Sequence, residues 1–127
     1  IENTHFYSKF KQYLDNMVIN IFIETNINKG YGLGSSAAYS CTISEIIYNI
    51  FNNFIIENMD LEENKAFSKL EYQQSKFNLI LLLSFISETF FHHKTTGGDV
   101  VTILSKKTIL FKNILTYEEI TLNEDFE

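Results

Sequence analysis

The sequence predicts an α+β fold, with helices packed on a mainly antiparallel sheet. Three observations carry that expectation. Apolar residues recur at helical spacing in four segments. One segment, 18–27, alternates at strand spacing. Two short β-branched runs, 100–104 and 108–111, are joined by a turn-like stretch and read as a hairpin.

Taken in order, Phe6, Phe10, Tyr13, Leu14 and Met17 recur every three or four residues, which predicts a helix over 4–16. The period then changes. Ile19, Ile21 and Ile23 alternate with Asn20, Phe22 and Glu24, so 18–27 is predicted to be a strand with one well-buried face. Gly30, Tyr31, Gly32, Leu33 and Gly34 follow, and then Ser35, Ser36, Ala37 and Ala38. A stripe of Ile43, Ile46, Ile47, Ile50, Phe51 and Phe54 predicts a long amphipathic helix. Asp60 and Glu63 have capping-box spacing, so a further helix is expected from 60 to about 74. Residues 76–92 are more apolar and predict a helix buried on most sides. Thr95, Thr96, Gly97 and Gly98 break it. Asp99 then opens the first strand of the hairpin, residues 105–107 form the turn, and the acidic tail from Tyr117 is expected to fray.

At 127 residues the chain is one domain's worth. It has no Pro, Arg or Trp and is rich in Ile, Asn, Phe and Lys. That skew follows AT-rich codons, so an absent Pro or Arg carries little physical meaning. An apolar fraction of 45% excludes a disordered tail. A net charge of −6 argues against nucleic acid as a partner, since the lysines are scattered and only Lys106-Lys107 are adjacent. The single cysteine, Cys41, excludes an intrachain disulfide and a cysteine-based zinc site, and fits a reducing, cytoplasmic location. It is expected to be a small buried residue and not a nucleophile. The longest apolar run, 79–83, is too short to span a bilayer, so no membrane partner is expected. Glu2, Asn3 and His5 do not suit a signal peptide. The chain opens on Ile1, which predicts a processed product or a fragment.

Strand, glycine loop, helix is a recurring phosphate-binding device. Glycines let the backbone approach an anion and adopt positive φ. The first helical turn offers unpaired N–H groups and the positive end of the helix dipole. Small residues such as Ser35, Ser36 and Ala37 leave room there, and a serine hydroxyl can ligate Mg²⁺. The P-loop pattern fails, because no Gly-Lys follows. The dinucleotide fingerprint matches in Gly32, Gly34 and Ala37, but its acidic partner would be Glu57, after a helical pattern with no second strand. A glycine-rich turn without a ligand is the plain alternative.

Two carboxylates could complete such a site. Glu88 lies late in a strongly apolar helix, where a carboxylate must find solvent, a partner or a metal. Asp99 follows Gly97-Gly98. On the residues alone, a solvent-facing Glu88 and a turn or capping Asp99 are the commoner readings.

The run from Gly30 to Ala38 closely resembles the ATP-binding signature of the GHMP kinases: galactokinase, homoserine kinase, mevalonate kinase and phosphomevalonate kinase. Gly34 points away from galactokinases, which usually carry Ser there. Ala37-Ala38-Tyr39-Ser40-Cys41 looks most like mevalonate kinase. In that branch a helix with a Mg²⁺-binding Glu leads to a His and then to a Ser-Gly-x-Asp element. Glu88, His92, Thr96, Gly97 and Asp99 fall in that order.

The resemblance implies that residues 1–127 are the central part of a GHMP kinase N-terminal ATP-binding domain, a ribosomal protein S5 domain 2-like fold with an incomplete sheet. It implies ATP and Mg²⁺ as cofactors. Gly30, Gly32, Leu33, Gly34, Ser35, Ser36 and Ala37 would cradle the phosphates, Ser36 and Glu88 would hold Mg²⁺, and Asp99 would act as base or orient the acceptor. Mevalonate is the implied substrate, in isoprenoid biosynthesis. Phosphomevalonate is the alternative acceptor, since Gly97-Gly98-Asp99-Val100 after Lys94 also resembles that branch. A degenerate, non-catalytic nucleotide-binding fragment is the alternative to an enzyme. Mevalonate kinases are often dimers, which makes a homodimer compatible. The pattern departs from the family in three places: Asn28-Lys29 stands where a Pro usually precedes the loop, Lys94-Thr95 replaces Asn-Pro, and Lys106-Lys107 stands where Gly-Gly is expected. The family's first motif and its C-terminal Gly-rich motif are not found in these residues. The 127 residues alone are therefore expected to have negligible kinase activity.

Overall fold

The computed structural model describes residues 2–28, 30, 32, 34–58 and 69–121. Helices α1 (Glu2–Asp15), α2 (Ser35–Asn58), α3 (Lys69–Phe91) and α4 (Gly98–Ser105) precede a hairpin of β1 (Ile109–Asn113) and β2 (Thr116–Glu119). The expected α+β class is observed. Among the described residues the sheet is this two-stranded antiparallel hairpin.

Helix α1 docks on α2 through rings. Phe6, Phe10 and Tyr13 share one face of α1 and converge on Phe54, with centroids 5.0–5.4 Å away. Phe54 is almost fully buried as a result. Helix α2 packs against α3 and α4, and α3 packs against α4. Ala37, Cys41, Leu81, Val100 and Val101 form the centre of the core, with Phe111 and Tyr117 of the hairpin closing one side.

Four expectations are corrected. Residues 18–27 form no strand. Val18 is 86% exposed and Phe22 95%. A strand needs a neighbour for its N–H and C=O groups, and the described residues supply none here. Residues 100–104 belong to helix α4 and not to a strand. A short apolar run is ambiguous by periodicity, and packing decides it: Val100 and Val101 sit fully buried between α2 and α3. The hairpin therefore lies one element later, pairing Ile109 with Glu119 and Phe111 with Tyr117. The tail does not fray at Tyr117, because residues 116–119 are the second strand and Tyr117 packs on the core.

The last correction concerns α3. A single helix from Lys69 to Phe91 crosses the expected break near residue 75, and the Asp60–Glu63 cap lies outside the described residues. It is buried on one face only. Ile80, Leu81, Ser84 and Glu88 point inward at spacings of one to four, while Leu82, Ile86, Phe90 and Phe91 remain exposed.

Helix α4 has left-handed residues at both ends. Gly97, its N-cap, has φ 81°, and Lys106, its C-cap, has φ 56°. A Cβ on Gly97 would lie 3.0 Å from the Phe85 ring and 3.2 Å from Ile114. Lys106 occupies a conformation that glycine adopts freely and that costs an L-residue about 1–2 kcal/mol.

Candidate functional site

The glycine loop enters α2 as the sequence requires. Gly30, Gly32 and Gly34 have φ of 82°, 69° and 68°, so each uses a conformation that side chains disfavour. No atom lies within 4 Å of a Cβ built on Gly30 or Gly32, which leaves the loop backbone open to a ligand. Ala38 N–H donates to the Gly34 carbonyl at 2.9 Å, making Gly34 the N-cap. The N–H groups of Ser35, Ser36 and Ala37 therefore precede the helical ladder and have no partner within it. Ala37 is fully buried and Ser35 and Ser36 are half-buried. Leu33 lies outside the described residues.

Ser36 and Ser40 stand one turn apart on the same face of α2. Both reach Glu88 on α3. Ser36 Oγ donates to Glu88 Oε1 at 2.7 Å, and Ser40 Oγ donates to Oε2 at 3.1 Å. Glu88 is only 3% exposed. The solvent-facing reading of Glu88 is thus overturned: it belongs to the inward stripe of α3 with Ile80, Leu81 and Ser84. Burying a carboxylate is costly unless its oxygens are bonded, and here each oxygen has a hydroxyl donor.

His92 completes the group. It lies just beyond α3, one turn after Glu88, with Nε2 at 3.2 Å from Ser36 Oγ and 3.5 Å from Glu88 Oε1. Ser36 has one hydroxyl proton and gives it to Glu88. The His92 contact is accordingly a hydrogen bond in the tautomer with its proton on Nε2. His93 is exposed.

Cys41 follows Ser40 in the core, with Sγ 4.0 Å from the Val100 carbonyl. Burial pushes its thiol pKa up, a hydrogen bond with Ser84 opposes this, and the nearby Glu88 charge adds to it. The thiolate is the nucleophilic form, so Cys41 is an inert core residue here.

The structure does not join Asp99 to this group. Asp99 is exposed in the first turn of α4, and among the described residues it forms no hydrogen bond or ion pair with Ser36 or Glu88. Its place is set by Gly97, whose positive φ and tight packing fix the start of α4. Ser40 is the site residue that the sequence reading passed over. Its signal was available, four residues after Ser36 on the same helical face.

The donor set suits a small hard cation. Two cis oxygens around octahedral Mg²⁺, at about 2.0–2.1 Å each, stand about 3 Å apart. Ser36 Oγ and Glu88 Oε1 are 2.7 Å apart, close to that separation. Among the described residues no group of three or more His, Cys, Asp or Glu is placed to hold a metal ion, so a cation here would rest on the single carboxylate of Glu88 with the Ser36 hydroxyl. No helix of the described residues is long and apolar enough to cross a membrane.

A family model described as the N-terminal domain of GHMP kinases matches residues 4–107. The chain belongs to the GHMP kinases. No curated protein and no solved structure gives a match to it. Members of the family are ATP-dependent small-molecule kinases, and the matched span contains the glycine loop, α2, α3 and α4.

Proposed function

We propose that this GHMP kinase transfers the γ-phosphoryl group of ATP to the hydroxyl of mevalonate. The observation that carries the reading is the Ser36–Glu88 pair, 2.7 Å apart at the mouth of a glycine loop whose three described glycines all have positive φ. The backbone of Gly30, Gly32, Leu33 and Gly34 would hold the phosphates together with the amides of Ser35, Ser36 and Ala37, which have no partner in the helical ladder and lie at the positive end of the helix dipole. Ser36 and Glu88 would hold Mg²⁺, which when bound would neutralise charge on the transferring group.

In the transfer, the acceptor hydroxyl oxygen forms a bond to the γ-phosphorus. The bond from that phosphorus to the β–γ bridging oxygen breaks, and ADP leaves. Asp99 orients the hydroxyl or takes its proton. Its exposed position on the first turn of α4 leaves the carboxylate free to meet a substrate. Ala37-Ala38-Tyr39-Ser40 and the order Glu88, His92, Thr96, Gly97, Asp99 favour mevalonate. Phosphomevalonate brings a phosphate and calls for more cationic groups, while Lys94 is the cation closest in sequence to Gly97-Gly98-Asp99.

Calorimetric titration of the chain with MgATP tests the nucleotide site: binding is expected and should weaken in Glu88→Gln. In a phosphoryl-transfer assay, any turnover should favour mevalonate. Transfer to phosphomevalonate alone would overturn the acceptor assignment. MgATP binding with no turnover is the result expected of these 127 residues, in which the family's first and C-terminal motifs are not found; absence of turnover in a chain that carries both motifs would favour a nucleotide-binding module.

A further inference from the structure

We propose that Ser40 is a positioning residue that holds the Glu88 carboxylate for monodentate metal binding and so sets a preference for Mg²⁺ over Ca²⁺. The inference rests on the reading of Ser36 and Glu88 as a cation site.

The hydroxyl of a serine or threonine inside a helix commonly bonds back to the carbonyl four residues earlier. Thr42 does so to Ala38 at 2.8 Å, Ser84 to Ile80 at 2.7 Å, and Thr102 to Gly98 at 2.8 Å. Ser40, with the Ser36 carbonyl four residues before it in the helix, breaks that habit; like Ser36 in the first turn, it donates across the helix interface to Glu88. Ser36 is half-buried beside the open glycine loop, whereas Ser40 is fully buried. The two bonds are thus unequal in place. One faces the ligand side and can be exchanged for a cation. The other is sealed behind it.

A hydroxyl has a single proton, so the Ser40 bond occupies one lone pair of Oε2 and fixes the rotation of the carboxylate. Oε1 is left presented to Ser36. Mg²⁺ takes few protein ligands in a tight octahedron, and one carboxylate oxygen suits it. Ca²⁺ takes six to eight oxygens at longer distance and commonly uses both oxygens of a carboxylate. With Oε2 tethered, the bidentate mode is disfavoured, because the carboxylate must give up or bend the Ser40 bond to turn both oxygens to one ion. Outer-shell partners of this kind typically change metal affinity by about 10–100-fold.

The test is competition for Mn²⁺ bound to the full chain, followed by electron paramagnetic resonance, with Mg²⁺ or Ca²⁺ as competitor. Wild type, Ser40→Ala, Ser40→Cys and Glu88→Gln are compared, with circular dichroism as a check of folding. Ser40→Ala should weaken Mg²⁺ by about 10-fold and Ca²⁺ by less, so that the Mg²⁺/Ca²⁺ ratio falls. Ser40→Cys, near in size but a weak donor, should move the ratio the same way and decides the matter if the alanine variant does not fold. Ser40→Thr, which keeps the hydroxyl, should hold the wild-type ratio. An unchanged ratio in the alanine or cysteine variant, with Mn²⁺ binding lost in Glu88→Gln, would overturn the role of Ser40 and leave the cation site standing. Mn²⁺ binding that survives Glu88→Gln would overturn the cation site itself.

Discussion

Ser36 and Glu88, fifty-two residues apart in the chain, meet at 2.7 Å where the start of α2 faces the last turn of α3. Glycine loop and carboxylate are thereby fixed relative to each other by one helix pair.

Removing the carboxylate should uncouple metal from nucleotide. Glu88→Gln keeps the size and loses the charge. MgATP affinity is expected to fall by at least the about 10-fold typical of losing an outer-shell partner, while ATP without Mg²⁺ binds as before. Fluorescence titration with and without EDTA reads the difference. Equal losses in both titrations would show that Glu88 acts through folding.

Two glycines with similar backbones should tolerate alanine differently. Gly32→Ala meets open space, so it should cost only the left-handed penalty of about 1–2 kcal/mol. Gly97→Ala adds a Cβ 3.0 Å from the Phe85 ring and should cost about 1–3 kcal/mol more. Urea denaturation of both variants gives the ranking. The opposite order would contradict the packing around the start of α4.

Lys106 offers the reverse case. Lys106→Gly relieves the left-handed strain and gives up some unfolded-state restriction, for a net gain of about 0.5–1 kcal/mol. Lys106→Ala keeps the strain and should gain nothing. A thermal melt that ranks alanine above glycine would refute the strain at this position.

Alkaline pH should act on the other end of the α2–α3 interface. Tyr48 is buried, donates to Tyr72 at 3.2 Å, and has its pKa pushed up from 10.0 to about 12, first by burial and then by Tyr72. A pKa raised in the folded state favours the neutral phenol. The stability it contributes is complete below pH 10 and declines as pH rises towards 12. Chemical denaturation across that range should show the decline, and Tyr48→Phe should flatten it. A pH-independent wild type would refute the assignment.

What the sequence made legible was set by how local the signal is. The glycine loop, the start of α2 at Ser35 and the helical stripe ending at Phe54 follow from adjacent residues and were readable. Residues 18–27 alternate like a strand, yet alternation describes a face and not a partner. Val100 and Val101 look β-prone, but they fill the gap between α2 and α3, a contact that no local pattern contains. Glu88 was singled out for its chemistry and misjudged for its exposure on the residues alone. Its burial depends on two serines from a different helix.

The two left-handed ends of α4 have a mechanical meaning. Gly97 at one end and Lys106 at the other leave the right-handed helical backbone, so α4 is bounded at eight residues by the backbone itself. Asp99 and the hairpin are thereby carried on one rigid spacer of eight residues. Phe85 and Ile114, packed where a Cβ on Gly97 would stand, seat the end of that spacer that carries Asp99, so the carboxylate's approach to a bound molecule is set by two side chains remote in sequence.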